Sequence, residues 1–144
     1  MMDNLSPDKR TRIMSSIRSK NTRPEIVVRK ILYGKGVRFR IHAKDLPGKP
    51  DIVIRKYKLA IQVNGCFWHQ HSGCHENRIP DSNKKFWKDK LKRNVDRDKK
   101  NHALLIKEGF KVFYFWECEI KNERLLEKKA NQFLKELNRR NKTK

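Results

Sequence analysis

The sequence predicts a mixed α/β domain in which helices lie either side of a small sheet. Two observations carry this reading. Runs of β-branched and aromatic residues at 52–54, 59–63 and 111–116 have the composition of strands. Between and after them, apolar residues recur at helical spacing, most plainly Leu125, Leu126, Ala130, Phe133, Leu134 and Leu137. The 144 residues are expected to form one domain, 1–144, large enough to bury a core.

In chain order, Ser6-Pro7-Asp8 reads as an N-cap with a first-turn proline, opening a short basic helix to about residue 17. Thr22-Arg23-Pro24-Glu25 matches a capping box. The helix that follows, carrying Ile26, Val27, Ile31 and Leu32, is expected to stop at Gly34 or Gly36. Residues 37–41 alternate apolar and basic side chains, as a half-exposed strand does. Pro50-Asp51 leads into strand 52–54, and a basic turn at Arg55-Lys56 joins it to strand 59–63. A loop is expected from Gly65 to about Ser82. Asp81 or Ser82 can cap a long helix carrying Phe86, Trp87, Leu91 and Val95 and ending near Glu108, before Gly109. Strand 111–116 runs into Glu117-Cys118, Asn122 caps the last helix, and the basic tail 139–144 is expected to fray.

Lysine and arginine number 37 against 16 acidic residues, a formal charge of +21. Such an excess repels itself in a compact fold unless a polyanion is the normal partner, and nucleic acid is the leading candidate. A ribosomal-type or merely soluble basic protein has the same charge, so charge alone does not define an enzyme. No apolar run approaches the ~18 residues of a membrane helix, and residues 1–20 are too polar and basic for a signal peptide. Three cysteines are an odd count for a disulfide framework and suit a reducing cytosol.

The densest chemistry lies between Gly65 and His75. Cys66, His69, His71, Cys74 and His75 fall within ten residues, and Cys118 ends the last predicted strand. Thiolates and imidazoles are the ligands of tetrahedral zinc, and one Cys3His site would use all three cysteines. The plain alternative for Cys118 is a buried apolar thiol. Phe67 and Trp68 sit among these ligands on a basic chain, where aromatic rings can stack on bases.

Pro50-Asp51, followed by Gln62-Val63-Asn64 on a neighbouring strand, is similar to the PD-(D/E)xK nuclease arrangement, in which an aspartate and a residue of the next strand hold Mg²⁺. Here Gln62 replaces the second acid and Asn64 the lysine. A turn aspartate after proline is the plain alternative.

Taken together, Leu46-Pro47-Gly48-Lys49-Pro50-Asp51, Gly65-Cys66-Phe67-Trp68-His69, Phe86-Trp87, Asn94-Val95-Asp96-Arg97-Asp98 and Trp116-Glu117-Cys118 resemble the very short patch repair (Vsr) endonucleases over nearly the whole chain. The resemblance implies a restriction-endonuclease-like fold with a structural zinc. It also implies Mg²⁺-dependent hydrolysis of double-stranded DNA on the 5′ side of the thymine in a T·G mismatch, the lesion left by deamination of 5-methylcytosine. A strand-specific nickase of a modification system and a DNA-binding protein without catalysis are the alternatives.

By the same resemblance Cys66, His71, Cys74 and Cys118 are zinc ligands, and Asp51 with the Val63 carbonyl holds Mg²⁺. His69 is a general acid or base, a role its near-neutral titration permits. Asp98 and Glu25 match further active-site acids, although a capping box would want Glu25 anyway and Asp98 suits a surface ion pair. Phe67, Trp68 and Trp87 match aromatics that wedge into DNA beside the mismatch, and Met14 matches a residue inserted from the other groove from within a DNA-contacting segment, 1–20. Helix core is the plain alternative for Phe86 and Trp87. The chain departs from the family at Asn64, where relatives carry histidine or aspartate: an amide oxygen can meet a cation but cannot take a proton at neutral pH. A monomer in the bacterial cytoplasm, associated with the nucleoid and working with mismatch-repair and repair-synthesis proteins, is the expected setting.

Overall fold

Strand pairing starts where the apolar runs meet. In the computed structural model, which describes residues 22–74 and 78–142, four strands form one mixed sheet in the order β1-β2-β3-β4. The elements are α1 (Arg23–Gly34), β1 (Arg40–Ile41), β2 (Ile52–Ile54), β3 (Leu59–Asn64), α2 (Lys84–Lys107), β4 (Lys111–Trp116), α3 (Glu117–Ile120) and α4 (Glu123–Lys142). The basic helix predicted near the N-terminus, the segment 1–20, Met14 and His75 lie outside the described residues.

Strands β1 and β2 pair antiparallel across the loop 42–51, β2 and β3 pair antiparallel across a short turn at Arg55–Tyr57, and β3 pairs parallel with β4, so α2 serves as the crossover between them. The side chains of β3 alternate between two layers. Leu59 and Ile61 join Val28, Leu32, Phe115 and Phe133 beneath α1 and α4, and Ala60 packs with Val53, Leu105 and Phe110 beneath α2. Helices therefore cover both faces, as the sequence predicts.

Helix α1 begins at the predicted cap, the Thr22 hydroxyl accepting from the Glu25 amide, and ends at Gly34. The long helix α2 departs from expectation at its start. It begins at Lys84 behind Asn83, whose backbone is left-handed (φ 55°) and whose side chain caps nothing, so neither Asp81 nor Ser82 is the cap. Only Arg40 and Ile41 of the strand predicted over 37–41 are paired, because Val37 turns into the core.

The four-residue helix α3 was not foreseen. The Glu119 carboxylate closes its first turn by accepting from the Trp116 amide. Asn122 caps α4 as predicted, accepting from the Leu125 amide. Leu125 itself is exposed, and Glu136 is buried in its stead. Arg139 and Arg140 grip Glu136, which holds α4 helical to Lys142 rather than frayed from residue 139.

Candidate active site and metal centre

The loop after β3 folds back on itself. His69 N–H donates to the Gly65 carbonyl, His71 N–H to Cys66 at 2.9 Å and Cys74 N–H to His71, so the loop is a run of tight turns. Those turns gather four side chains. Single ligand atoms of Cys66, His71, Cys74 and Cys118 lie within 4.8 Å of one another. The His71 Nδ1 atom stands 3.7 Å from the Cys66 sulfur and 3.5 Å from that of Cys118. A tetrahedral zinc with ordinary Zn–N and Zn–S bonds would set that separation at about 3.6 Å, so the donor set fits a four-coordinate, thiolate-loving ion.

The supports of this cluster are built from the sheet. His71 stacks on Trp116 with ring centroids 4.1 Å apart and planes 6° from parallel, which fixes the imidazole at the end of β4. The Cys118 amide donates to the Cys66 sulfur at 3.4 Å. Burial pushes the Cys66 thiol up, with the neighbouring thiols adding to it, and burial also raises Cys118. A bound cation reverses that balance by favouring thiolate.

A second group of acids and imidazoles lies beside the same C-terminal end of β3. The Val63 amide donates to Asp51 Oδ2 at 2.7 Å, tying the acid at the head of β2 to the C-terminal end of β3. Burial raises the Asp51 carboxyl to about 6, against the pull of that amide, while the nearby charges of Glu25 (raising) and of His42 and His69 (lowering) also reach it. Glu25 is buried at the start of α1, where its Oε2 accepts from Arg29 at 3.0 Å and lies 3.2 Å from His42 Nε2. Ligand atoms of Glu25, His42 and Asp51 also lie within 4.8 Å of one another. Two carboxylates are the hard oxygen donors that Mg²⁺ requires, so this donor set fits as well.

His69 faces α2. Its Nδ1 sits 2.5 Å from Asp98 Oδ2, which orients the ring and leaves Nε2 available. Both residues line a cleft of about 390 Å³ with Asn64, Gln62, Lys49 and Tyr114. Gly48 closes one wall with φ +73°; a Cβ there would stand 3.0 Å from Asn101 Cβ and 3.1 Å from Gln62 Nε2. Asn64, on the last residue of β3, is buried.

The aromatics form a surface group instead of helix core. Phe67, Trp68 and Trp87 are half-buried with centroids 5.1–5.8 Å apart, Phe86 is exposed, and the Lys90 ammonium lies within 6 Å of Trp68, Phe86 and Trp87. Asn94, buried in α2, donates to the Trp68 carbonyl and so pins this loop to the helix.

Comparison with known proteins places this geometry. The profile of the family described as DNA mismatch endonuclease Vsr matches residues 2–76. The chain is 44% identical over 137 residues to the type II nicking enzyme V.NmeAIP of Neisseria meningitidis, covering 95% of this chain and 97% of that one. It is 45% identical over 134 residues to the type II nicking enzyme V.XorIIP of Xanthomonas oryzae pv. oryzae, covering 93% and 98%. With the DNA mismatch endonuclease Vsr of Escherichia coli it shares 35% identity over 128 residues, covering 88% and 81%. The chain belongs to the Vsr family of DNA mismatch endonucleases.

As a Vsr-family DNA endonuclease it carries two residues that reading the sequence passed over. Arg29 meets Glu25 one turn along α1, and His42 reaches both across a tertiary contact. His42 had no motif around it. Its one sequence signal is its distance before Asp51, which becomes meaningful only once β1 and β2 are seen to pair. Among the predicted residues, Glu25 and Asp51 come together, as do His69, Asp98 and Asn64, and the four zinc candidates. No helix among the described residues is long and apolar enough to cross a membrane.

Proposed function

We propose that this Vsr-family endonuclease nicks double-stranded DNA on the 5′ side of the thymine in a T·G mismatch and so starts very short patch repair. The observation that supports it best is the placing of one carboxylate group, Asp51 with Glu25, and one imidazole, His69 braced by Asp98, within electrostatic reach of each other beside a cleft. The restriction-endonuclease-like reading of the fold rests on the same strand pair, with Asp51 heading β2 and Val63 and Asn64 on β3.

Asp51, with the Val63 carbonyl and Glu25 nearby, would hold Mg²⁺, which when bound neutralises phosphate charge and activates water. The chain's own residues do the rest. Asp98 holds His69 Nδ1, so that Nε2 delivers a proton to the leaving oxygen as the P–O bond breaks. Phe67, Trp68 and Trp87, with Met14 from the opposite groove, unstack the base step. A mismatch lowers that cost, which favours the damaged site. Cys66, His71, Cys74 and Cys118 would hold a structural zinc, which when bound would fix the aromatic loop. The protein acts as a monomer in the cytoplasm, at the nucleoid, and passes its nick to mismatch-repair and repair-synthesis proteins.

The deciding experiment incubates the protein with Mg²⁺ and a labelled T·G duplex beside a T·A control. Cleavage of the thymine strand in the mismatch alone supports the proposal. Equal nicking of the paired duplex favours a strand-specific nickase, a reading that the names of the two relatives at 44% and 45% identity support.

A further inference from the structure

We propose that His42 is a nitrogen ligand of the divalent cation held by Asp51 and Glu25, making this a mixed nitrogen–oxygen site that prefers Mn²⁺ to Mg²⁺. The inference rests on the reading of Asp51 as a metal-holding residue and adds a ligand to it.

The placement follows from strand register. Pairing of Arg40 with Val53 and Ile41 with Ile52 puts residue 42 opposite residue 51, and the His42 amide donates to the Asp51 carbonyl at 3.2 Å. His42 stands there with a left-handed backbone (φ 51°), a conformation that costs energy in a non-glycine residue and clusters at functional sites. Helix α1 brings Glu25 to the same point, so that His42 Nε2 lies 3.2 Å from Glu25 Oε2, and one ligand atom each of Glu25, His42 and Asp51 lie within 4.8 Å of one another. A separation near 3 Å between donor atoms is what two neighbouring ligands of one octahedral ion show, given metal–ligand bonds of about 2.1 Å.

His42 Nε2 faces both the Glu25 carboxylate, to which it can only donate, and Arg29, from which it can only accept. Arg29 Nη2 lies 3.1 Å from His42 Nε2 and 3.0 Å from Glu25 Oε2. A guanidinium only donates, so a hydrogen bond at that contact uses the Nε2 lone pair, the same pair a metal would take. The guanidinium thus marks the position of a cation, and a divalent ion entering the site competes with it. Imidazole suits first-row transition ions, whereas Mg²⁺ favours oxygen donors, so the selectivity follows from the ligand type.

The test measures binding rather than turnover. Zinc-loaded full-length protein is titrated with Mn²⁺, watched by electron paramagnetic resonance, and with Mg²⁺ in competition. Wild type is compared with His42→Ala, His42→Gln, Arg29→Gln and Asp51→Asn, each checked for native circular dichroism. We expect the His42 variants to weaken Mn²⁺ by about tenfold or more with little change in Mg²⁺. Arg29→Gln should tighten Mn²⁺, and nitrogen coupling to bound Mn²⁺ should be present in wild type and lost in His42→Gln. Unchanged Mn²⁺ affinity, or nitrogen coupling that survives in His42→Gln, overturns the role of His42 while leaving Asp51 as the metal residue. Full Mn²⁺ binding by Asp51→Asn overturns the underlying reading as well.

Discussion

Asn64 is the residue at which the proposed catalysis is most directly tested. It is buried at the end of β3 and faces the cleft that His69 and Asp98 share, where its amide cannot take a proton. Replacing it with aspartate or histidine should raise nicking of a T·G duplex with little change in DNA affinity. Single-turnover rates measured beside binding isotherms check this, and equal rates for all three proteins would make the position irrelevant to catalysis. Asp51 governs a different property. Its carboxyl rises from 3.8 to about 6 because it is buried, so the folded state holds its proton more tightly than the unfolded chain does. That contribution is complete below about pH 4 and is lost as pH climbs through about 6, a change of up to about 3 kcal/mol. Urea unfolding without added divalent cation should show wild type losing stability relative to Asp51→Asn between about pH 4 and about pH 6. A pH-independent difference would refute this assignment.

Among the elements, the loop 65–74 has little hydrophobic packing of its own and is held at its ends. Cys66 is buried beside β4, His71 stacks on Trp116, and Asn94 of α2 holds the Trp68 carbonyl. A metal bound by Cys66, His71, Cys74 and Cys118 would join this loop to α3. Metal analysis should find about one zinc per chain. Removing it with a chelator, or changing Cys118 to serine, should lower the melting temperature and abolish nicking, because the aromatic group loses its base. A metal-free protein with unchanged melting behaviour would count against a structural zinc. The C-terminal helix ends on an electrostatic clamp. Arg139 and then Arg140 hold Glu136 down to about 2, so the clamp persists until strongly acid pH.

At the scale of the molecule, the +21 charge is the dominant property. Binding to DNA should weaken by roughly 10³-fold or more between about 50 and about 200 mM salt, through counterion release at several phosphates. The loss should be similar for T·G and T·A duplexes, since in the proposed function the aromatic wedge and not the charge distinguishes them. Filter binding or fluorescence anisotropy across a salt series checks it. A flat salt profile would remove the polyanion argument.

The sequence by itself determined the family, the endonuclease class and most elements. Strand composition, cap residues and glycine stops are local properties, and the Cys-His loop and the Pro50-Asp51 pair are contiguous enough to be read directly. Short-range signals failed where a neighbour overrides them. Val37 leaves its alternating run for the core, Asn83 opens α2 past two better caps, and Arg139 and Arg140 extend α4 by gripping an acid one turn back. Only the tertiary structure decided that Glu25, His42 and Asp51 meet, and that His69 turns to Asp98. The Glu25–His42 and His69–Asp98 contacts span 17 and 29 residues of chain and depend on strand register and on the angle at which helices cross the sheet. Packing sets both, because burying one face of each element leaves a single arrangement open, and no local pattern records it.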